Sequence, residues 1–217
     1  MSVIVTFCLN NGIVMAADSR TTQIKTYPNG KQEVSRMDGV KKIFQFGDRD
    51  IGILWCGNAQ VGKEDVPDYL NGLFGRLNKM TTIKEIAEKI NEECNERVIG
   101  EAIRCHIAGY ENGIQCFYQV ADGGVTHKNI NPDLGIATMC VVWDGIKDIS
   151  RDIIRNKEKL DIGGKLVDES DAPHFTLDEG VRFARAMLKR SCLEREECGE
   201  PIYSLIITGS GIHWTND

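Results

Sequence analysis

The stretch SVIVTFCLNNGIVMAADSR, residues 2–20, decides how the rest of the chain is read. Two runs, 3–10 and 13–18, are apolar or β-branched and flank Asn10-Asn11-Gly12, a strong hairpin signal. Neither run alternates cleanly between polar and apolar residues. Strands covered on both faces give that pattern, so the hairpin is expected inside a layered fold. Only Ser2 stands between Met1 and the first apolar residue, which places Ser2 at the start of a rigid strand. Asp18 closes the second run, and a carboxylate at the end of a buried strand needs a partner.

Outward from this hairpin, residues 21–40 are polar, contain Pro28-Asn29-Gly30, and read as a long hairpin or loop. Lys42 opens a short apolar strand to Phe46, and Ile51–Cys56 is a further buried strand closed by Gly57-Asn58. The spacing predicts a helix over 59–79. A second helix follows, with Thr82 and Glu85 set as a capping box and Ile83, Ile86, Ala87, Ile90 and Cys94 at helical spacing. Ile103–Tyr110 and Ile114–Val120 flank Glu111-Asn112-Gly113 as a second hairpin. A loop over 121–135, a helix within 136–155 and a loop over 156–173 are expected. Thr176 with Glu179 then caps a helix to about residue 192, and Pro201–Thr208 forms the last strand before a short tail.

The chain has 217 residues, 41% hydrophobic and 27% charged, which fits one domain over residues 1–217 with a sizeable core. A net charge of −6 without a basic stripe argues against nucleic acid, and no apolar run approaches a membrane span. The start of the chain lacks the basic flank of a signal peptide, so a cytoplasmic protein is expected. The eight cysteines are scattered without a CxxC, which reads as reduced thiols. The four histidines show no metal-binding spacing, and no metal or organic cofactor is expected. Cys8, in mid-strand, reads as core.

Removal of Met1 would leave Ser2 with a free α-amine beside its own hydroxyl. An α-amine has a pKa of roughly 7.7–8.0, so near neutral pH part of it is unprotonated and can take the hydroxyl proton. One residue then supplies nucleophile and base. An Asp18–Lys42 pair near Ser2 would add a cation that eases alkoxide formation and favours the neutral amine.

The segments SVIVTFCLNNGIVMAADSRTT, GVKKIFQF and ILWCGNAQV, with FTLDEGVRFARAMLKR and IYSLIITGSG late in the chain, resemble proteasome β-type subunits of the N-terminal-nucleophile hydrolases. The bacterial proteasome-like subunits resemble it more than the eukaryotic ones do. The resemblance covers residues 2–61 and 175–209 and implies a four-layer αββα sandwich, with two antiparallel sheets between helix layers. It implies a nucleophile at Ser2, supporting Asp18 and Lys42, and an oxyanion-hole amide within Leu54-Trp55-Cys56-Gly57. It puts Arg20, Thr21 and Thr22 at the start of a substrate-binding strand, with Gly52 and Cys56 lining a specificity pocket. It also implies hydrolysis of peptide or amide bonds in a peptide or unfolded-protein substrate. The expected assembly is a homo-oligomeric ring or stacked rings, with an ATP-dependent unfoldase as a possible partner.

Departures from the family pattern stand beside it. Ser2 replaces threonine, and Leu54 stands where the family has the oxyanion glycine. The segment between Arg20 and Lys42 is longer than usual, and the mid-chain Ser-Gly turn is missing near 136–142. The late Asp and Ser that support the nucleophile are replaced within Glu194–Cys198, where Cys198 falls on the serine and Glu194, Glu196 and Glu197 are open for the aspartate, with Glu196 taken as the candidate. Two other readings stay open: a non-proteolytic amidohydrolase acting on a small or modified amide, and a catalytically silent ring-forming subunit.

Overall fold

A computed structural model describes residues 2–77, 81–100 and 102–215. In chain order, β1 (Val3–Leu9), β2 (Gly12–Ala17), β3 (Thr21–Thr26), β4 (Gln32–Met37), β5 (Ile43–Gln45), β6 (Ile51–Cys56), β7 (Gln60–Val61) and β8 (Glu64–Asp65) precede α1 (Val66–Arg76) and α2 (Ile83–Arg97). Then come β9 (Arg104–Glu111), β10 (Ile114–Ala121), β11 (Gly124–His127), β12 (Ile130–Asn131), β13 (Ile136–Ala137), β14 (Cys140–Gly145) and α3 (Lys147–Arg155). The chain continues through β15 (Leu160–Asp161), β16 (Leu166–Val167), a 3-10 helix (Glu169–His174), α4 (Leu177–Glu194), β17 (Tyr203–Thr208) and β18 (Gly211–Thr215).

Two five-stranded antiparallel sheets carry the long strands, in the orders β14-β1-β2-β17-β18 and β11-β10-β9-β6-β5. The period of two along each strand sorts its side chains. Val3, Val5, Phe7 and Leu9 of β1 pack with Phe183, Ala184 and Met187 of α4. Ile4 and Cys8 pack instead with Leu54, Cys56, Ala108 and Phe117 of the other sheet. The opposite face of that second sheet, through Ile51, Ile53 and Trp55, packs on Leu70 and Leu73 of α1 and Ile86 and Ile90 of α2. Every residue of β1, β2 and β6 is buried, which is why their sequences show no alternation.

The plain four-layer αββα sandwich is corrected by these elements. Eight of the eighteen strands lie in four separate two-stranded sheets, β3-β4, β7-β8, β12-β13 and β15-β16, and only four α-helices and one 3-10 helix accompany them among the described residues. The segment 21–40, read as a hairpin or loop, forms the hairpin β3-β4, and the segments 121–135 and 156–173, read as loops, contain short strands. The helix expected over 59–79 starts only at Val66, because residues 60–65 form a tight ribbon turning at Gly62 and Pro67 sits in the first turn of α1. Its expected last residues, 78 and 79, lie outside the described ones. Within 136–155 the helix begins at Lys147, and the preceding apolar residues form β14. The tail after Thr208 is the strand β18. Both capping boxes form, with Thr82 accepting from the Glu85 N–H and Thr176 from the Glu179 N–H.

One polar tie crosses the apolar interior between the sheets. His106 of β9 is fully buried, with Nδ1 2.9 Å from Thr6 Oγ1 and Nε2 3.1 Å from Asp144 Oδ2. Gln119 also donates to Asp144 Oδ2. Burial pushes the His106 pKa down, outweighing the opposing pull of Asp144. A folded-state pKa below the usual 6.5 means that, under that pH, the unfolded chain takes up a proton the folded one resists. Stability contributed by neutral His106 is therefore full above about pH 6.5 and declines as the pH falls. His127, also lowered by burial, acts in the same direction. Urea unfolding at pH 7.5 and 5.5 should show a smaller acid loss in His106→Gln than in wild type. Equal losses would remove this assignment.

Candidate functional site

The turn out of β2 delivers Asp18 into the interior, 1% exposed. Its carboxylate accepts four hydrogen bonds. Oδ1 receives the Val3 N–H at 2.9 Å and Lys42 Nζ at 2.8 Å, and Oδ2 receives the Arg20 N–H at 3.1 Å and the Gly199 N–H at 3.3 Å. Lys42, fully buried, also donates to the Arg20 carbonyl at 2.6 Å. One carboxylate oxygen thus joins the peptide unit that follows Ser2 to a buried ammonium.

Ser2 itself is 6% exposed and lines a cavity of about 610 Å³. Its carbonyl accepts the Ile146 N–H at 2.9 Å, just beyond the end of β14. Gly145 makes this approach possible. It has φ +97°, and a Cβ there would lie 1.7 Å from the Ser2 carbonyl oxygen. Gly57, on the cavity wall, is also fixed: φ is again +97°, and a Cβ would meet the Ala102 carbonyl at 2.2 Å.

Six of the expected site residues are brought together at or near the cavity. Ser2, Thr21, Thr22 and Gly57 line the cavity. Asp18 and Lys42 form a buried pair tied to the Val3 N–H, next to Ser2 in the chain. Leu54, Gly52 and Cys56 do not line the cavity. They occupy alternate positions of β6 that face the other sheet: Leu54 and Cys56 pack in the interior between the sheets, and a Cβ on Gly52 would meet Met15 Sδ at 2.6 Å. Gly52 and Cys56 thus lie between the sheets and not at this cavity, whereas the oxyanion expectation for Leu54–Gly57 concerns a backbone N–H, which side-chain direction does not decide. Trp55, one residue out of phase, lines the cavity with Gly57.

Arg20 does not line the cavity either. Its guanidinium clamps Asp38 through two bonds of 2.6 and 2.7 Å and reaches the Glu196 carbonyl at 3.0 Å, while its backbone serves Asp18 and Lys42. Glu196 contributes that carbonyl, and its carboxylate turns outward to Arg36 at 2.7 Å. Cys198 is buried against the α4 side of the first sheet, and burial together with nearby Asp18 pushes its thiol pKa up. The neighbouring Gly199 is what supports the site: its N–H binds Asp18, and its carbonyl accepts the Ser19 N–H at 2.9 Å. Sequence reasoning missed Gly199 and Ser19 because both act largely through backbone groups, which leave no side-chain signature.

Three polar atoms around the cavity lack a hydrogen-bond partner among the described residues: Thr21 Oγ1, Thr22 Oγ1 and Trp55 Nε1. All three atoms are shielded from solvent although their residues line the cavity. No group of three or more His, Cys, Asp or Glu side chains suited to a metal ion occurs among the described residues.

No family model and no curated protein matches the sequence. Solved structures do match over the whole chain. Anbu (ancestral beta-subunit) from Yersinia bercovieri has a TM-score of 0.65 at 15% identity, covering 99% of this chain and 87% of that one. The fold is similar to that of Anbu. The Anbu (Gly-1) mutant from Hyphomicrobium sp. strain MC1 has a TM-score of 0.63 at 16% identity, covering 100% of this chain and 85% of that one. The motif resemblance had pointed to proteasome β-type and bacterial proteasome-like subunits. These structures overturn that assignment in favour of an Anbu-like fold. The motifs lay in residues 2–61 and 175–209, whereas the backbone comparison with Anbu spans almost every residue.

The Asp18–Lys42 pair makes a direct energetic prediction. Removing one partner of a buried ion pair leaves an uncompensated charge and costs about 3–5 kcal/mol. Lys42→Met and Asp18→Asn should each destabilise by about that amount in urea unfolding. The double variant should lose less than the sum, because neither charge is then left alone. Single variants within about 0.5 kcal/mol of wild type would remove the pair as a stabilising element.

Proposed function

We propose that the chain is an N-terminal-nucleophile hydrolase that cleaves peptide or amide bonds through an acyl-enzyme on Ser2, once Ser2 carries a free α-amine. Met1, whose removal this requires, lies outside the described residues. The observation that carries the reading is Asp18 Oδ1, shared between the Val3 N–H and Lys42 Nζ. It holds a cation beside the peptide unit of a serine that opens on a cavity.

In this reading the α-amine takes the Ser2 hydroxyl proton as Oγ attacks the carbonyl carbon. Lys42 stabilises the developing alkoxide and biases the amine toward its neutral form. The backbone N–H of Gly57 is the candidate for the oxyanion, a role that needs fixed geometry and no particular side chain. The protonated amine then returns its proton to the leaving amine, and water hydrolyses the acyl-serine by the reverse proton path. An extended peptide would run beside Thr21 and Thr22 on the cavity wall.

Protein with Ser2 as its first residue, verified by intact mass, should hydrolyse fluorogenic peptide amides and form a one-to-one adduct with an electrophilic peptide at Ser2. Ser2→Ala should retain the wild-type thermal midpoint and lose turnover by on the order of 10³-fold or more. Turnover that survives Ser2→Ala, or an adduct on a cysteine, would sink the mechanism.

Assembly with further copies of the chain belongs to the same reading. The β3-β4 ribbon exposes Ile24 directly opposite Val34, together with Met37. Exposed apolar pairs on a two-stranded ribbon favour burial by a partner surface. Native mass spectrometry should show integer multiples of the chain mass, shifted toward single chains by Ile24→Lys with Val34→Lys. A single chain at every concentration would exclude the ring.

A further inference from the structure

β1 and β14 pair at six antiparallel positions, from Val3 opposite Gly145 to Cys8 opposite Cys140. The two cysteines are therefore direct cross-strand neighbours. Such partners have Cα atoms about 4.5–5.5 Å apart, within the range of roughly 4.4–6.8 Å that a disulfide bridges. Both are free thiols, and residues directly opposite on paired antiparallel strands share a face of the sheet.

The two sulfurs differ in access. β14 is the outer strand of its sheet, and Cys140 is partly exposed. Cys8 lies one strand deeper, 1% exposed, among Ile4, Ile13 and Phe117. The neighbouring Cys8 thiol holds Cys140 below the usual thiol range, helped by the Lys128 cation, while Cys140 and burial push Cys8 up. The thiolate is the reactive form, so the exposed partner is also the reactive one. The other cysteines lack this arrangement. Burial raises Cys56, Cys105 and Cys198, and the partly exposed Cys192 is pushed up to about 11.

We propose that Cys140 and Cys8 form a peroxide-reactive modification site that closes to an intramolecular disulfide. The Cys140 thiolate attacks one oxygen of hydrogen peroxide. The O–O bond breaks, and the departing hydroxide takes a proton to become water, leaving a sulfenic acid on Cys140. Cys8 then gives up its proton, and its sulfur attacks the Cys140 sulfur. The S–O bond breaks, and the second hydroxide leaves with that proton as water. Two thiols are oxidised by two electrons in total, and one peroxide is reduced to two waters.

The crosslink sits at the far end of the ladder that fixes Ser2. The near end is Gly145, and the next N–H, from Ile146, holds the Ser2 carbonyl. Oxidation therefore ties the outer strand covalently to the strand that begins beside Ser2. This inference stands independently of the hydrolase reading.

The test uses the reduced full chain, treated with hydrogen peroxide, then alkylated and analysed by intact mass and non-reducing peptide mapping. The expected result is the loss of two hydrogens and a Cys8–Cys140 linked peptide, both reversed by dithiothreitol. Cys140→Ser should give no such linkage. Cys8→Ser should stop at a sulfenic acid on Cys140 that dimedone traps. Wild-type protein needs no variant to fold, so its peptide map decides the matter. A linkage between other cysteines, first oxidation at Cys192, or a wild-type Cys140 that passes to sulfinic acid without closing would overturn the proposal.

Discussion

The rest of the site depends on one buried carboxylate. Asp18 accepts from four donors that come from four separate parts of the chain: the start of β1, the backbone after β2, the side chain before β5, and the loop before β17. A carboxylate removed from water is tolerable only when its lone pairs are filled and its charge is matched. That requirement fixes where Val3, Arg20, Lys42 and Gly199 must lie relative to one another. Ser2 inherits its position from them.

The surrounding fold protects this arrangement by making the neighbouring strands buried on both faces. β1 packs against α4 on one face and against the second sheet on the other. It cannot slip by one residue without driving Thr6 into the α4 face and Val5 between the sheets. The Thr6–His106–Asp144 bonds strengthen that choice of register, since they form only when Thr6 faces β9. A rigid β1, pinned on one side by β2 and on the other by β14, gives Ser2 a defined place on the wall of the cavity.

Several features were legible residue by residue. The Asn10-Asn11-Gly12 turn between two apolar runs gave the β1-β2 hairpin, and the Thr-x-x-Glu patterns gave the starts of α2 and α4. These are local effects, set by backbone preferences and side chains within a few residues of each other. The need of Asp18 for a partner was also legible, because burial of a charge carries the same penalty in any fold. The four-layer description failed because element order does not reveal short ribbons. The pairing in β12-β13 and β15-β16 comes from segments that carry no apolar period.

The sequence by itself determined the buried hairpin, the helix caps and the chemical obligation created by Asp18, since each follows from near neighbours or from the cost of desolvating a charge. Only the tertiary structure decided which β6 residues meet the cavity, because a one-residue change of phase exchanges Trp55 for Leu54 and Cys56. Tertiary structure likewise decided that Gly199 and Ile146 hold the site through backbone N–H groups. Every residue except proline carries such a donor, so only the folded chain selects among them.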